Sequence, residues 1–81
     1  MPNKLRTLAG KEIVKFLERN GFSVRKTRGS HCKIYRTILE RNQTLTIPMH
    51  SSIAKGTLHD IYQQILEYLP ESDIGSFFFT D

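Results

Sequence analysis

The chain has 81 residues and a formal net charge of +4, with twelve Lys and Arg residues against eight Asp and Glu residues. This length predicts one domain, residues 1–81, with a small core. A single cysteine excludes an internal disulfide, and the Cys and His residues lack the spacing of a zinc site. No apolar run approaches the ~20 residues of a membrane helix, and the first ten residues lack an apolar signal core, which predicts a cytoplasmic protein with no membrane partner.

The charge is distributed unevenly along the chain. Residues 1–41 hold eleven of the twelve cations and three of the eight acids, a net +8, whereas residues 42–81 carry a net −4. A basic half is typical of a protein that binds a polyanion, and equally of a solvated cationic surface. Any polyanion contact is therefore expected in the first half of the chain.

The first predicted element is an amphipathic helix over residues 9–20. Its apolar positions are Ile13, Val14, Phe16 and Leu17, which lie on one helical face. Gly21 then provides a left-handed helix end, and residues 22–27 alternate as a strand does.

The second predicted strand covers residues 31–36 and places Cys32 and Ile34 on its core face. If Phe22 and Val24 share that face, strand parity requires an odd loop such as residues 28–30, with Gly29 at positive φ. A two-residue turn is not expected. In this register Arg25 lies opposite Lys33, and an anion between the two cations would relieve their repulsion.

The third predicted strand covers residues 43–49 and has two possible registers. Pairing of Ile34 with Ile47 centres the loop on residues 40–41 and brings His31 opposite His50. Pairing of Ile34 with Leu45 instead brings His31 opposite Pro48. The approach of the two histidines depends on this choice.

The second predicted helix begins at Thr57 as N-cap and runs to Leu69. Its apolar residues recur with helical spacing, at Leu58, Ile61, Tyr62, Ile65, Leu66 and Leu69. Pro70 ends it, so the predicted core of the domain is 9–69, and the tail 70–81 is left unassigned. Phe77, Phe78 and Phe79 in that tail can fold back on the domain, contact a partner or remain disordered.

This order predicts an α+β fold, α-β-β-β-α, with a three-stranded antiparallel sheet and both helices on one face. The other face is left open, which is common for antiparallel sheets. It is predicted to carry Ser23, Arg25, His31, Lys33, Tyr35, Thr44 and Thr46. These are donors, cations, a histidine and an aromatic ring.

Four short motifs in this order resemble the HicA family of toxin mRNA interferases. They are Asn20-Gly21-Phe22, then Gly29-Ser30-His31 with Tyr35, then Ile47-Pro48-Met49-His50, and finally Lys55-Gly56-Thr57-Leu58 with Ile61. The resemblance covers residues 9–69. It implies a double-stranded-RNA-binding-domain-like fold, a catalytic histidine at His31, cleavage of RNA, and a HicB-like antitoxin as partner.

The chain also departs from the family. A second histidine often follows the first in such toxins, and here Cys32 stands there, predicted to point into the core. The last helix, usually basic in such toxins, has no basic run here. The basic contacts are therefore expected from the first half.

The predicted site needs neither metal nor cofactor, because RNA carries its own nucleophile in the 2′-hydroxyl. An imidazole can transfer protons near neutral pH, so His31 is the candidate catalytic residue and His50 a possible second acid or base. The predicted RNA-binding residues are Arg25, Arg28, Gly29, Ser30, Lys33 and Tyr35. Two other classes stay open: a non-catalytic double-stranded-RNA-binding module, and a protein-binding adaptor without salt-dependent RNA affinity.

Overall fold

The computed structural model describes residues 3–81. Met1 and Pro2, which belong to the stretch predicted to lack a signal core, lie outside the described residues. The elements follow in the order β1 Lys4–Leu5, α1 Gly10–Arg19, β2 Ser23–Arg28, β3 His31–Ile38, β4 Arg41–Pro48, α2 Lys55–Ile65, α3 Glu71–Phe78 and β5 Phe79–Thr80.

The predicted first helix is confirmed as α1, and its ends have clear physical causes. The Ala9 N–H donates to Glu12 Oε1 at 2.9 Å, which satisfies one of the free donors at the helix start. Gly21 follows the helix with φ of 92°, as predicted. At the first residue of the helix, Gly10 lies so close to β4 that a Cβ there would meet the Pro48 carbonyl oxygen at 2.1 Å. Only glycine lets α1 dock at this point.

Strands β2, β3 and β4 form an antiparallel sheet in that order, and the first hairpin differs from its prediction. Arg28 pairs with His31, so the turn has two residues, Gly29 and Ser30, with Gly29 at φ of 57°. The odd loop was wrong because strand parity is restored elsewhere. A β-bulge leaves Arg25 unpaired between the pairs Val24–Ile34 and Lys26–Lys33.

The second hairpin adopts the register that pairs Ile34 with Leu45 and His31 with Pro48. The alternative that brings His31 opposite His50 is therefore wrong. Ile38 pairs with Arg41, so the turn consists of Leu39 and Glu40 and not of residues 40–41. Both turn residues have positive φ, 50° and 66°, the combination of a type I′ turn.

One hydrophobic core joins the helices to one face of the sheet, and the predicted α+β arrangement is confirmed. Ile34 and Ile47 from the sheet are fully buried against Ile13, Leu17 and Leu58 from the helices. Cys32 is 2% exposed and points into this core, as predicted. Val24 shares the face but is 42% exposed, because β2 is an edge strand of the sheet.

Both predicted ends of the second helix were wrong. The N-cap of α2 is Ala54, three residues before Thr57, which lies inside the first turn, and the helix ends at Ile65 rather than at Leu69. The Lys55 ammonium instead donates to the Leu5 carbonyl oxygen at 2.9 Å, which ties the helix start to β1.

The C-terminal tail forms α3 and β5 and packs on the core. Phe78 is fully buried, and Phe77 stacks on Phe16 with ring centroids 4.1 Å apart. The strand β5 then pairs with β1, so both ends of the described chain meet in a two-stranded sheet. Of the three alternatives for these phenylalanines, the tail thus folds back on the domain, and the burial of Phe78 argues against its contacting a partner.

A polar contact fixes α3 against α2. The Tyr62 hydroxyl donates to the Glu71 carboxylate at the start of α3. Burial of the phenol, together with the hydrogen bond to Glu71 and its charge, raises the pKa of Tyr62 to about 12. The hydroxyl therefore stays protonated as a donor throughout the physiological range.

Arg36 connects three parts of the fold. Its guanidinium donates to Gln43 Oε1 in β4, to the Asn20 carbonyl oxygen after α1 at 2.9 Å and to the Tyr68 carbonyl oxygen after α2 at 2.9 Å. The Cζ atom also lies 4.9 Å from the ring centroid of Phe22. This cation is thereby committed to the helix side of the sheet and is not available on the open face.

The turn of the second hairpin predicts a stabilising substitution. Leu39 and Glu40 hold positive φ, which costs side-chain-bearing residues roughly 1 kcal/mol each. Replacing them with Leu39→Asn and Glu40→Gly, the pair favoured in type I′ turns, should raise the free energy of unfolding by about 1 kcal/mol. For a domain of this size that is a rise in Tm of roughly 4–8 °C.

The matched control for this prediction is Gly29→Ala in the other hairpin. Gly29 has φ of 57° and no atom within 4 Å of the position of an added Cβ, so any loss must come from the backbone alone. It should lower Tm. An unchanged or lower Tm for the Leu39 and Glu40 double variant would show that this turn is not strained.

Candidate nucleic-acid interface and histidine site

The open face of the three-stranded sheet is polar and basic. Alternate residues of β3 point away from the core, which places His31, Lys33 and Tyr35 in one row. The neighbouring strands add their own outward residues to this face, namely Ser23, Arg25, Lys26, Arg28, Thr44 and Thr46. No Asp or Glu belongs to this set, so the local charge is entirely positive.

The two-residue turn decides which cation meets Lys33. The prediction of Arg25 opposite Lys33 was wrong, because the turn pairs Arg28 with His31 and the unbroken ladder after it then pairs Lys26 with Lys33. Two ammonium groups therefore face each other across the ladder, an arrangement that destabilises a sheet unless an anion is bound. Sequence reasoning missed Lys26, since the odd loop that it expected would turn Lys26 to the core face.

His31 lies in a hollow of about 220 Å³ lined by Lys26, Arg28, His31 and Lys33. The side chain is exposed at the first position of β3, with Arg28 opposite on one side and Pro48 on the other. The hollow thus combines one imidazole with three cations. This is a suitable setting for a phosphate group.

The turn before His31 is held by the strand beyond it. The Ser30 carbonyl oxygen accepts a hydrogen bond from the Met49 N–H at 2.5 Å. Gly29 has open space around its α-carbon, and the Ser30 side chain is exposed. Neither of these predicted RNA-binding residues lines the His31 hollow, although each is adjacent in sequence to a residue that does.

Arg25 and Tyr35 form a pair further along the open face. The Arg25 Cζ atom lies 5.7 Å from the centroid of the Tyr35 ring, within cation–π range. A second hollow of about 490 Å³ is lined by Arg25, Lys26, Lys33 and Thr44. Because Lys26 and Lys33 line both hollows, the open face offers one continuous basic path from His31 to Tyr35.

His50 lies in a different hollow. That hollow, about 260 Å³, is lined by Ala9, Lys11, Met49, His50 and Ser51 at the start of α1. The His50 carbonyl oxygen accepts a hydrogen bond from the Gly10 N–H at 2.9 Å, which fixes the backbone there. The structure does not bring the two histidines into a common hollow.

Residues 3–81 contain no helix that is long and apolar enough to span a bilayer. Within the same residues, no three or more His, Cys, Asp or Glu side chains cluster as a potential metal site.

The fold and this face define a small α+β protein with a basic, histidine-bearing sheet surface. The family model described as "HicA toxin of bacterial toxin-antitoxin" matches residues 10–66. The chain therefore belongs to the HicA family, and it is a toxin of a toxin–antitoxin system. Comparison with curated proteins and with solved structures gave no significant match.

The opposed ammonium groups predict a salt-dependent gain in stability. Lys26→Gln removes one charge of the Lys26–Lys33 pair, so it should raise the free energy of unfolding by roughly 0.5 kcal/mol at low salt. The gain should shrink as salt screens the repulsion. Urea denaturation at low and high ionic strength measures both effects.

The control for this measurement is Lys15→Gln on the exposed side of α1. Lys15 has Glu12 and Glu18 one helical turn away, so losing its charge should not stabilise the protein. Equal effects of the two substitutions, or no dependence on salt for Lys26→Gln, would show that the Lys26–Lys33 repulsion is absent.

Proposed function

We propose that this toxin is a metal-independent endoribonuclease that cleaves mRNA with His31 and is neutralised by a HicB-like antitoxin. The observation that carries the proposal is the hollow in which an exposed imidazole is surrounded by Lys26, Arg28 and Lys33. Membership of the HicA family supports it, because these toxins are in general ribonuclease-like.

The proposed reaction uses the RNA's own 2′-hydroxyl as nucleophile. His31 accepts the 2′-hydroxyl proton while the oxygen attacks the adjacent phosphorus atom. Negative charge then develops on the phosphoryl oxygens, where Lys33, Lys26 and Arg28 can stabilise it as charge-assisted donors. The bond to the 5′-oxygen breaks, this oxygen takes up a proton, and a 2′,3′-cyclic phosphate is left on the other fragment.

The proton for the leaving 5′-oxygen has two candidate donors. His31 can return the proton that it accepted, or His50 can act as a second acid. The separate hollow of His50 favours the first route, and His50 then contributes to binding or to packing near Pro48. Arg25, Gly29, Ser30 and Tyr35 are proposed as further RNA contacts on the same face.

The proposal includes an antitoxin because an uncovered ribonuclease site would harm the cell that makes it. A cytoplasmic ribonuclease with an open, generic phosphate site damages its own host unless a partner covers it. Acidic groups facing Arg25, Arg28 and Lys33 would steer such a partner to the open face. Bulk over His31 would then exclude RNA.

The proposed function predicts that His31→Ala abolishes RNA cleavage. The cleavage rate should fall by at least the roughly 100-fold that proton transfer contributes. Thermal stability should not change, because the His31 side chain is exposed and outside the core. Cleavage by the wild type should persist in EDTA, since the proposed groups are all side chains of the protein. Cleavage of labelled RNA by purified protein measures each of these.

His59→Ala is the matched control, because His59 is an exposed histidine on α2 away from the site. It should keep full activity. Full activity of His31→Ala would remove His31 from the mechanism and leave His50 as the candidate. If the wild type binds RNA without cleaving it, the non-catalytic double-stranded-RNA-binding module would be favoured.

The second prediction concerns binding, which should weaken steeply with salt because the contacts are to phosphates. Replacing Arg25 or Lys33 by Gln should reduce the slope of log affinity against log salt by about one unit each. Fluorescence anisotropy with labelled RNA at several salt concentrations provides the slopes. Slopes that neither substitution alters would identify both cations as surface charges without a phosphate contact.

The third prediction is that the antitoxin buries the open face. In the toxin–antitoxin complex, amide exchange should slow across residues 25–35, and RNA cleavage should be suppressed. Hydrogen exchange with and without the antitoxin measures this. Protection limited to α2 would mean that inhibition works without covering His31.

A further inference from the structure

We propose that the Arg25–Tyr35 pair is a base-stacking subsite that holds one unpaired base about two nucleotides from the phosphate that is cleaved. The inference rests on the proposed function, since it takes the His31 hollow as the place of cleavage. It adds a requirement that a phosphate site alone does not impose, namely an accessible base at a fixed distance.

The distance comes from the register of β3. His31 and Tyr35 are four residues apart on the same face of one strand, which is about 13 Å at ~3.3 Å per residue. This corresponds to about two nucleotides of extended single-stranded RNA. One phosphate therefore lies between the two positions, where Lys33 and Lys26 face each other.

The path between the two positions is continuous and positive. The hollow at His31 and the larger hollow beside Arg25 share Lys26 and Lys33 as lining residues. An RNA strand can pass from one to the other without crossing an acidic side chain of the sheet. The opposed ammonium groups midway gain stability when a phosphate neutralises them.

The far end of the path has the chemistry of a base platform. Tyr35 presents a half-buried ring, and the Arg25 guanidinium lies over it at 5.7 Å. Aromatic rings and guanidinium planes both stack on nucleobases. Thr44, directly opposite Tyr35 in the ladder, supplies an exposed hydroxyl for a base edge.

The β-bulge is what brings Arg25 to this end. After the observed two-residue turn, an unbulged strand would put Arg25 opposite Ile34 on the core face, whereas the bulge leaves it unpaired with its guanidinium over Tyr35. A base inside a duplex is stacked between its neighbours and cannot use such a platform. The subsite therefore selects single-stranded segments, and it makes Tyr35 a specificity-determining residue.

The test uses a short single-stranded RNA that the wild-type toxin cleaves at one mapped bond. A single abasic nucleotide is placed in turn at each position on both sides of that bond. The wild type should lose roughly 10- to 100-fold in kcat/KM, the size of one base–aromatic stack, when the missing base is two nucleotides from the bond on one side. Abasic sites further away should have little effect.

The dependence on Tyr35 is tested with two variants and a control. Tyr35→Leu keeps an apolar side chain in the sheet but has no ring, so it should cleave the intact and the abasic RNA equally. Tyr35→Phe should restore the difference. Thr37→Ala, one step further along the same face and hydrogen-bonded only to exposed Asn42, should behave as the wild type.

A penalty at another position, or one that persists in Tyr35→Leu, would overturn the inference while leaving His31-dependent cleavage intact. Failure of the wild type to cleave the unmodified RNA would instead count against the proposed function. In that case base stacking is tested by measuring the affinity of the wild type for the same RNAs by anisotropy. Equal affinity for the intact and the abasic RNA would overturn the inference.

Discussion

The register of the first hairpin, set by its two-residue turn and the β-bulge at Arg25, is the constraint on which the character of the open face depends. The Gly29–Ser30 turn has two residues. In a ladder without a bulge, such a turn would direct the apolar residues of β2 to the open face and its polar residues to the core. One extra residue resolves this conflict. The turn itself pairs Lys26 with Lys33 on the open face, and the bulge returns Val24 to the core face opposite Ile34. The two-residue turn thus gathers the cations around His31, and the bulge reconciles that register with the core.

The elements of the fold followed from the sequence because their signals are local. The apolar spacing of α1 and α2 and the alternation of β3 each depend on residues within one or two turns or pleats. Cys32 could be placed in the core for the same reason. The registers could not be derived, because a bulge and a turn of Leu39 and Glu40 are poorly marked by residue type. Neither residue is one that type I′ turns favour.

The candidate site was predictable to the extent that it lies on one strand. His31, Lys33 and Tyr35 share a face by simple alternation, so their row is visible in the sequence. The pairing of Lys26 depends on the length of the turn, the position of Arg25 on a bulge and that of His50 on a register, so alternation along one strand could not place them. The tail was unassigned because the spacing of Ile74 and Phe78 is too short a pattern, and only packing against Phe16 and Tyr62 shows its role.

The open face stays exposed because the polar side chains that hold the fold together make their contacts elsewhere. Arg36 is taken up by carbonyl groups at the ends of α1 and α2, and Tyr62 by Glu71 at the start of α3. The strands β1 and β5 join both ends of the described chain on the helix side. In a domain of 81 residues, a single core on one face of the sheet stabilises the fold, and the other face can therefore carry charged side chains.

The proposed function requires RNA to bind to the open face of the sheet and not to the helices. The most direct measurement is an amide chemical-shift titration with a single-stranded RNA that carries a 2′-deoxy nucleotide at the cleaved position, which removes the nucleophile. We expect the largest shifts on residues 25–35 and around Thr44, with α1 and α2 little changed. Shifts concentrated on α1 and α2, with residues 25–35 unaffected, would show that RNA does not bind to the open face.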